Sequence, residues 1–169
     1  FLSSQGRTVF AVNKNCESIH GLPCHTRIAD IPEKVDLAVI ATPAPTVPQI
    51  VEECGKAEVG GLVIISQGFR EMSADRGTLE AEISEIRKRY GMRILGPNCL
   101  GFIRPNLGLN VSFLPNVPEA GKIAFITQSA AFGKTLLDWG ISAHIGFSMF
   151  VSLGSTLDVD FGDLIDFLG

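Results

Sequence analysis

Four short turns close apolar runs in this sequence: Asn13-Lys14-Asn15, Thr42-Pro43-Ala44-Pro45, Ser66-Gln67-Gly68 and Gly96-Pro97-Asn98-Cys99. They are small, weakly polar and mostly carry Gly or Pro. Such turns let a backbone approach an extended ligand closely, and they hold no acid–base pair of the kind proton transfer needs. Gly and Pro also punctuate strand ends as a matter of course, which accounts for any one turn alone; the four together point to a cofactor groove. A further segment, Thr127-Gln128-Ser129-Ala130-Ala131, joins an apolar run to a helical pattern with Ser129 as its N-cap. A helix start offers free N–H groups and the positive end of the dipole, hence a ready anion site, although ordinary capping leaves the same trace.

The other reactive side chains form no constellation. The chain has three histidines and none sits in a motif; His144 reads as a solvated turn residue before a strand. Cys16, His20, Cys24 and His25 could all bind zinc, yet their spacing matches no ribbon or finger, so they read as a loop after a strand. The four cysteines include no CxxC pair and read as reduced thiols of a cytoplasmic protein. Asp158, Asp160 and Asp163 are spaced for a helix entry, where carboxylates are favourable.

The elements that must carry these turns are a parallel sheet and its helices. The runs at 8–13, 36–42 and 61–66, and a fourth beginning at Arg93, are continuously apolar rather than alternating, as strands buried on both faces are. Val47, Ile50, Val51 and Cys54 make one helical stripe, with Thr46 as N-cap, Pro48 in the first turn and Gly55 as the stop. Leu79, Ile83, Ile86 and Tyr90 make another, acidic at its start, basic at its end and closed by Gly91. The order strand, strand, helix, strand, helix, strand predicts a doubly wound α/β domain over residues 1–113. Residues 1–6 read as the tail of a helix. No GxGxxG precedes Thr8, so the phosphate-cradling loop of such a domain is expected outside this sequence, as the opening Phe1 also suggests.

A hairpin or edge segment is expected at 106–113, and residues 114–121, with two prolines, read as a linker. The pattern then restarts over 122–169. A strand spans 122–127. A helix over 130–139 turns Phe132, Leu136 and Leu137 inward and ends at Gly140. A strand at 145–153 follows, then a helix at 160–168. A net charge of −4 argues against a nucleic-acid surface, and the apolar runs are too short to span a bilayer.

Taken in order, VIATPAPTVPQIVEEC, LVIISQGFRE, RYGMRILGPNCLGFIRPNLGLNVSF, GKIAFITQSAAFGKTLLDW and FVSLGSTLDVDFGDLIDFLG resemble the ADP-forming acetyl-CoA synthetase family, related to the alpha subunit of succinyl-CoA synthetase. The resemblance covers essentially the whole chain. It implies a Rossmann-like CoA-binding domain lacking its first strand and glycine loop, then the start of a flavodoxin-like succinyl-CoA-synthetase-type domain. The implied reaction converts acyl-CoA, phosphate and ADP to acid, CoA and ATP through a phosphohistidine beyond Gly169; ADP or ATP and Mg would bind outside this chain. Carried across, Pro43, Ala44, Ile65, Ser66, Gln67 and Asn98 line the CoA groove. Lys14 stands in for a lysine that in the family follows Asn-Pro. Ser129, Ala130 and Ala131 form the phosphate-facing helix start, where the family has Ser-Gly-Ala; the methyl of Ala130 is expected to crowd a phosphate and to be strained if φ is positive.

The same resemblance implies an ATP-grasp domain or beta subunit as partner in a homo- or hetero-oligomer. The Ala-Ala turn and the Asp-rich tail also resemble the synthetase-like region of bacterial protein lysine acetyltransferases, which implies a CoA-sensing module instead. A redox NAD-binding domain is disfavoured by the missing GxGxxG and by the lack of an acidic residue at a second strand end.

Overall fold

The computed structural model describes residues 7–69 and 78–169; the helix tail expected at residues 1–6 lies outside them. At the centre are β4 (Leu37–Ile40), β5 (Gly61–Ile64) and β6 (Arg93–Leu95), all parallel and hydrogen-bonded in that order. Their continuous apolarity divides cleanly between two faces. Leu62, Ile64 and Ile94 face one core cluster, with Val51 and Cys54 of α1 (Val47–Lys56) and Ile83 and Ile86 of α2 (Thr78–Tyr90). Val63 and Leu95 face a second cluster, whose other buried members are Cys99 in the turn after β6, Val111, Met149 and Val151 of a different sheet, and Leu153 just beyond that sheet. A run buried on both sides cannot alternate, as β5 and β6 show; β4 departs from the expectation, with Leu37 and Val39 exposed on one face.

That other sheet is mixed. It runs in the order β8 (Leu109–Ser112), β7 (Gly101–Arg104), β10 (Phe147–Ser152), β9 (Ala120–Thr127). The hairpin or edge expected at 106–113 supplies only β8; its hairpin partner β7 lies before it, antiparallel also to β10, with Phe150 opposite Ile103 and Ser152 opposite Gly101. One sheet therefore runs across the expected linker at 114–121, and β9 takes up its last residues, Ala120 and Gly121. The strands on the two sides of those residues thus pair in one sheet. One apolar face of this sheet, with Val111, Met149 and Val151, and Leu153 just beyond it, closes over Val63 and Leu95. α3 (Ala130–Ser142) and α4 (Phe161–Leu168) complete this half.

The first expected strand is reduced to β1 (Ala11–Val12), parallel to β3 (Leu22–His25), which pairs in turn with β2 (Ser18–Ile19). It is not buried: Val12 is 45% exposed. The Cys/His segment is thus a hairpin rather than a loop, with His20 and Gly21 both at positive φ, the two-residue turn that strand twist favours. Among the described residues no group of His, Cys, Asp or Glu is placed to hold a metal.

Two glycines read as helix stops lie inside helices. Gly55 is buried in α1 because a side chain there would overlap the Tyr90 ring of α2. Gly140 packs on Phe147 within α3. Thr46 precedes α1, but its hydroxyl turns back to Thr42 and Pro43 and caps nothing in the helix. Phe132, expected inward, is 58% exposed, while Leu137 is buried. Asp160 caps α4 in a reciprocal box with Asp163, as the spacing predicts. Among the described residues no helix is long and apolar enough to cross a membrane.

Candidate functional site

Because β4, β5 and β6 are parallel and in register, their carboxyl ends stop along one edge, where ligands of open α/β sheets bind. The turns beyond them are laced together. The Ile65 N–H donates to the Ile40 carbonyl at 2.9 Å, and the Asn98 N–H donates to the Ser66 carbonyl at 3.0 Å. The Ser66 hydroxyl is buried and donates to the Ile40 carbonyl at 3.4 Å, so it locks the turn. Pro43, Gln67 and Asn98 are exposed, Ile65 is half-buried and Ala44 is buried. The structure therefore brings together all the expected groove residues except Lys14. That lysine is exposed in the turn after β1, and no strand pairing joins its sheet to β4.

Asn98 sits at φ +57, a left-handed conformation that Asn adopts more readily than most residues. The next residue, Cys99, is buried with its thiol directed at the Ile64 carbonyl, 3.4 Å away. Burial pushes that thiol up to about 11, so it is a packing group and not a nucleophile near neutral pH.

The second part of the site is the start of α3. The Ser129 hydroxyl accepts from the Phe132 N–H at 3.3 Å, and Thr127 Oγ1 accepts from the Ser129 N–H at 3.1 Å. As in any first turn, the amides of Ala130 and Ala131 have no intrahelical acceptor. Ala130 is not among the residues at positive φ, so its methyl carries no backbone strain. That removes the conditional penalty expected from the sequence.

What sequence reading missed is the connection between the two parts. Residues 154–159 run as a strap beside β6. Ser155, Leu157 and Val159 donate their N–H groups to the carbonyls of Pro97, Gly96 and Ile94 at 2.8, 3.2 and 3.1 Å. Just before the strap, the Leu153 N–H donates to the Thr127 carbonyl at 2.8 Å. Gly154, at φ +65, lies so close to Pro97 and Asn98 that no side chain fits.

Asp158 does not belong to the helix entry. Its side chain is 6% exposed and accepts from the Ile94 N–H at 2.8 Å and from Arg93 Nε at 3.0 Å, and it pairs with Arg87 at 3.1 Å. Arg93 also pairs with Asp163, which holds the Asp163 carboxyl below and the Arg93 guanidinium above their ordinary values. The available signal was an aspartate inside an apolar stretch, LDVD, opposite the arginine of MRIL.

A hollow of about 750 Å³ between α1 and α2 is not the groove. It is lined by Glu52, Glu53, Glu82 and Glu85 with Lys56 and Arg89, an acidic lining that repels a phosphate-bearing ligand.

Residues 1–105 match the family described as CoA binding domain, and residues 120–169 match the succinyl-CoA ligase like flavodoxin domain. Acetate–CoA ligase (ADP-forming) I of Archaeoglobus fulgidus is 45% identical over 161 residues, which are 95% of this chain and 24% of that protein. Acetate–CoA ligase (ADP-forming) II subunit alpha of Pyrococcus furiosus is 42% identical over 97% of this chain and 36% of its own length. Among solved structures, a dinucleotide-forming acetyl-coenzyme A synthetase 1 of Ca. Korarchaeum cryptofilum, in complex with phosphate and ADP, superposes with a TM-score of 0.87 at 38% identity, over 94% of this chain and 34% of that one. The chain thus spans about a quarter to a third of these relatives. They are ligases and synthetases, which favours the ligase reading over the acetyltransferase one.

Proposed function

The chain belongs to the CoA binding domain family, followed by a succinyl-CoA ligase like flavodoxin domain as in ADP-forming acyl-CoA synthetases, and from that premise we propose that it is the CoA-binding part of such an enzyme. The whole protein then interconverts acyl-CoA, phosphate and ADP with acid, CoA and ATP. Nucleotide and Mg are held by an ATP-grasp domain or beta subunit outside these residues, as is the histidine that carries the phosphoryl group.

The observation that carries the reading is the lacing of the turns after β4, β5 and β6 along one edge, with Gln67 and Asn98 exposed upon it. The fit to CoA is favourable on three counts. Among the described residues, the edge is built largely from small residues that permit close backbone approach, it carries no carboxylate, and its polar side chains are uncharged. Pro43, Ile65, Gln67 and Asn98 would hold the cofactor, and the buried Ala44 and Ser66 would keep their turns in place; Lys14, in the turn after a strand of a separate sheet, is given no contact with it. CoA supplies the thiol on which the acyl group is carried. The amides of Ala130 and Ala131 and the positive end of α3 would orient an incoming phosphate, a contribution of roughly 0.3–1 kcal/mol at an exposed helix start. We assign residues 1–113 to the CoA-binding unit and 122–169 to the ligase unit, although they share one sheet.

The complete protein should form ATP from acetyl-CoA, ADP and phosphate. Its CoA affinity, titrated by calorimetry, should fall in Asn98→Gly, which keeps the left-handed backbone and removes only the side chain. Loss of one hydrogen bond is worth about 0.5–1.5 kcal/mol, or roughly two- to tenfold. Unchanged affinity would take Asn98 out of the groove, and absence of ATP formation by the wild type would sink the ligase assignment.

A further inference from the structure

The strap at residues 154–159 and the residue before it contact both parts of the candidate site: Leu153 holds Thr127 at the α3 start, and Ser155 and Leu157 hold Pro97 and Gly96 in the turn after β6. Leu157 and Val159 pack the strap against the two core clusters, and Asp158 adds its polar fastening. One buried carboxylate meets a backbone N–H of β6 and two guanidinium groups, Arg93 of β6 and Arg87 of α2. The strap is thereby fixed to β6, whose end carries the turn 96–98, and to α2 behind it.

We propose that Asp158 is a positioning residue that sets the α3 start against the turn 96–98, and so the phosphate against CoA. It touches neither ligand. Its effect on the proposed reaction is to hold two separately formed binding surfaces at one spacing. A buried charge pair with well-packed apolar alternatives is weak evidence for stability as such; here the same carboxylate also completes the hydrogen bonding of a strand edge.

The inference rests on the ligase reading, so its test has an arm that does not. In the complete protein, wild type, Asp158→Asn and Asp158→Glu are compared by hydrogen exchange. The amides read are those of Ser155, Leu157 and Val159 on the strap, and of Leu153 and Asn98 on the two surfaces it joins. Asp158→Asn should speed exchange at all of these by roughly tenfold, the signature of one local opening unit, with partial recovery in Asp158→Glu. In the ATP-forming assay the same substitution should lower kcat by roughly tenfold or more, since small misplacements far from the chemistry cost that much. Both KM values should stay within about threefold of wild type.

Acceleration confined to the strap amides, or a lowered melting temperature with kcat per folded molecule unchanged, overturns the proposal. If the wild type forms no ATP, the ligase reading fails and the exchange at Leu153 and Asn98 alone decides. If Asp158→Asn does not fold, Arg93→Gln, which removes one of the three donors, is read by the same exchange experiment with the same criteria.

Discussion

Replacing Gly154 by alanine tests how closely the strap is seated. The glycine has φ +65, and a methyl group there would overlap Pro97 O and come within 2.7 and 2.8 Å of Asn98 O and C. Two costs follow. A left-handed backbone at an alanine costs roughly 1–2 kcal/mol. Overlap with backbone atoms of a hydrogen-bonded turn forces the strap outward, an overpacking cost of roughly 1–3 kcal/mol.

Gly91→Ala separates them. It has φ +69 but nothing within 4 Å of the added methyl, so it bears the first cost only. Both substitutions stiffen the unfolded chain alike, by about 0.4–1 kcal/mol, which cancels between them. Gly154→Ala should therefore be the less stable by about 1–3 kcal/mol, with a difference in melting temperature of roughly 2–4 °C per kcal/mol for a chain of this size. Urea midpoints at constant m value and thermal melts followed by circular dichroism both read this. Equal losses in the two variants would show that the contact with Pro97 and Asn98 is not what requires glycine.

The thiols should divide by burial: Cys16 is exposed and should alkylate within minutes at about pH 8, whereas burial pushes Cys54 and Cys99 up to about 12 and about 11, so mass spectrometry should find these two unmodified until denaturant is added. Native labelling of Cys99 on the same timescale would mean that the turn after β6 opens freely. The Asp163 carboxyl is held below its ordinary 3.8, first by the Arg93 hydrogen bond, so its contribution is fully present above that value and is lost as pH falls through the lower folded value. Asp163→Asn should thus flatten the decline of stability below about pH 4, and an unchanged slope would contradict the pairing.

The parallel strands and α2 were legible because a continuous apolar run, buried on both faces in β5 and β6 though not in β4, and a 3.6-residue stripe are local signals. β4, β5 and β6 all fall within or at the start of the apolar runs, and Asp160 announced its own helix. Glycine misled twice, at Gly55 and Gly140, because the residue that ends helices also lets a neighbouring ring approach one. The pairing of β7 with β10 left no local trace, since either partner alone reads as an ordinary strand. The same is true of the site. The turns could be collected from strand ends, and topology then aligned them. Asp158 meets Arg93 across 65 positions of sequence, and although an aspartate among apolar residues hints at burial, nothing local names its partner. Nor could the pattern of residues 130–139 foretell that Phe132 stays exposed.

The shared sheet also has a consequence in time. During synthesis the β7–β8 hairpin can close as soon as it leaves the ribosome, but the other edge of β7 must wait for β10, which follows Arg104 by about forty residues, a delay of roughly 2–8 s at ordinary elongation rates of about 5–20 residues per second. Throughout that interval the nascent chain displays an unpaired edge beside Ile103, which in the finished fold is wholly covered. A pause before β10 would prolong that exposure, and a chaperone that recognises extended apolar segments would find its opening there.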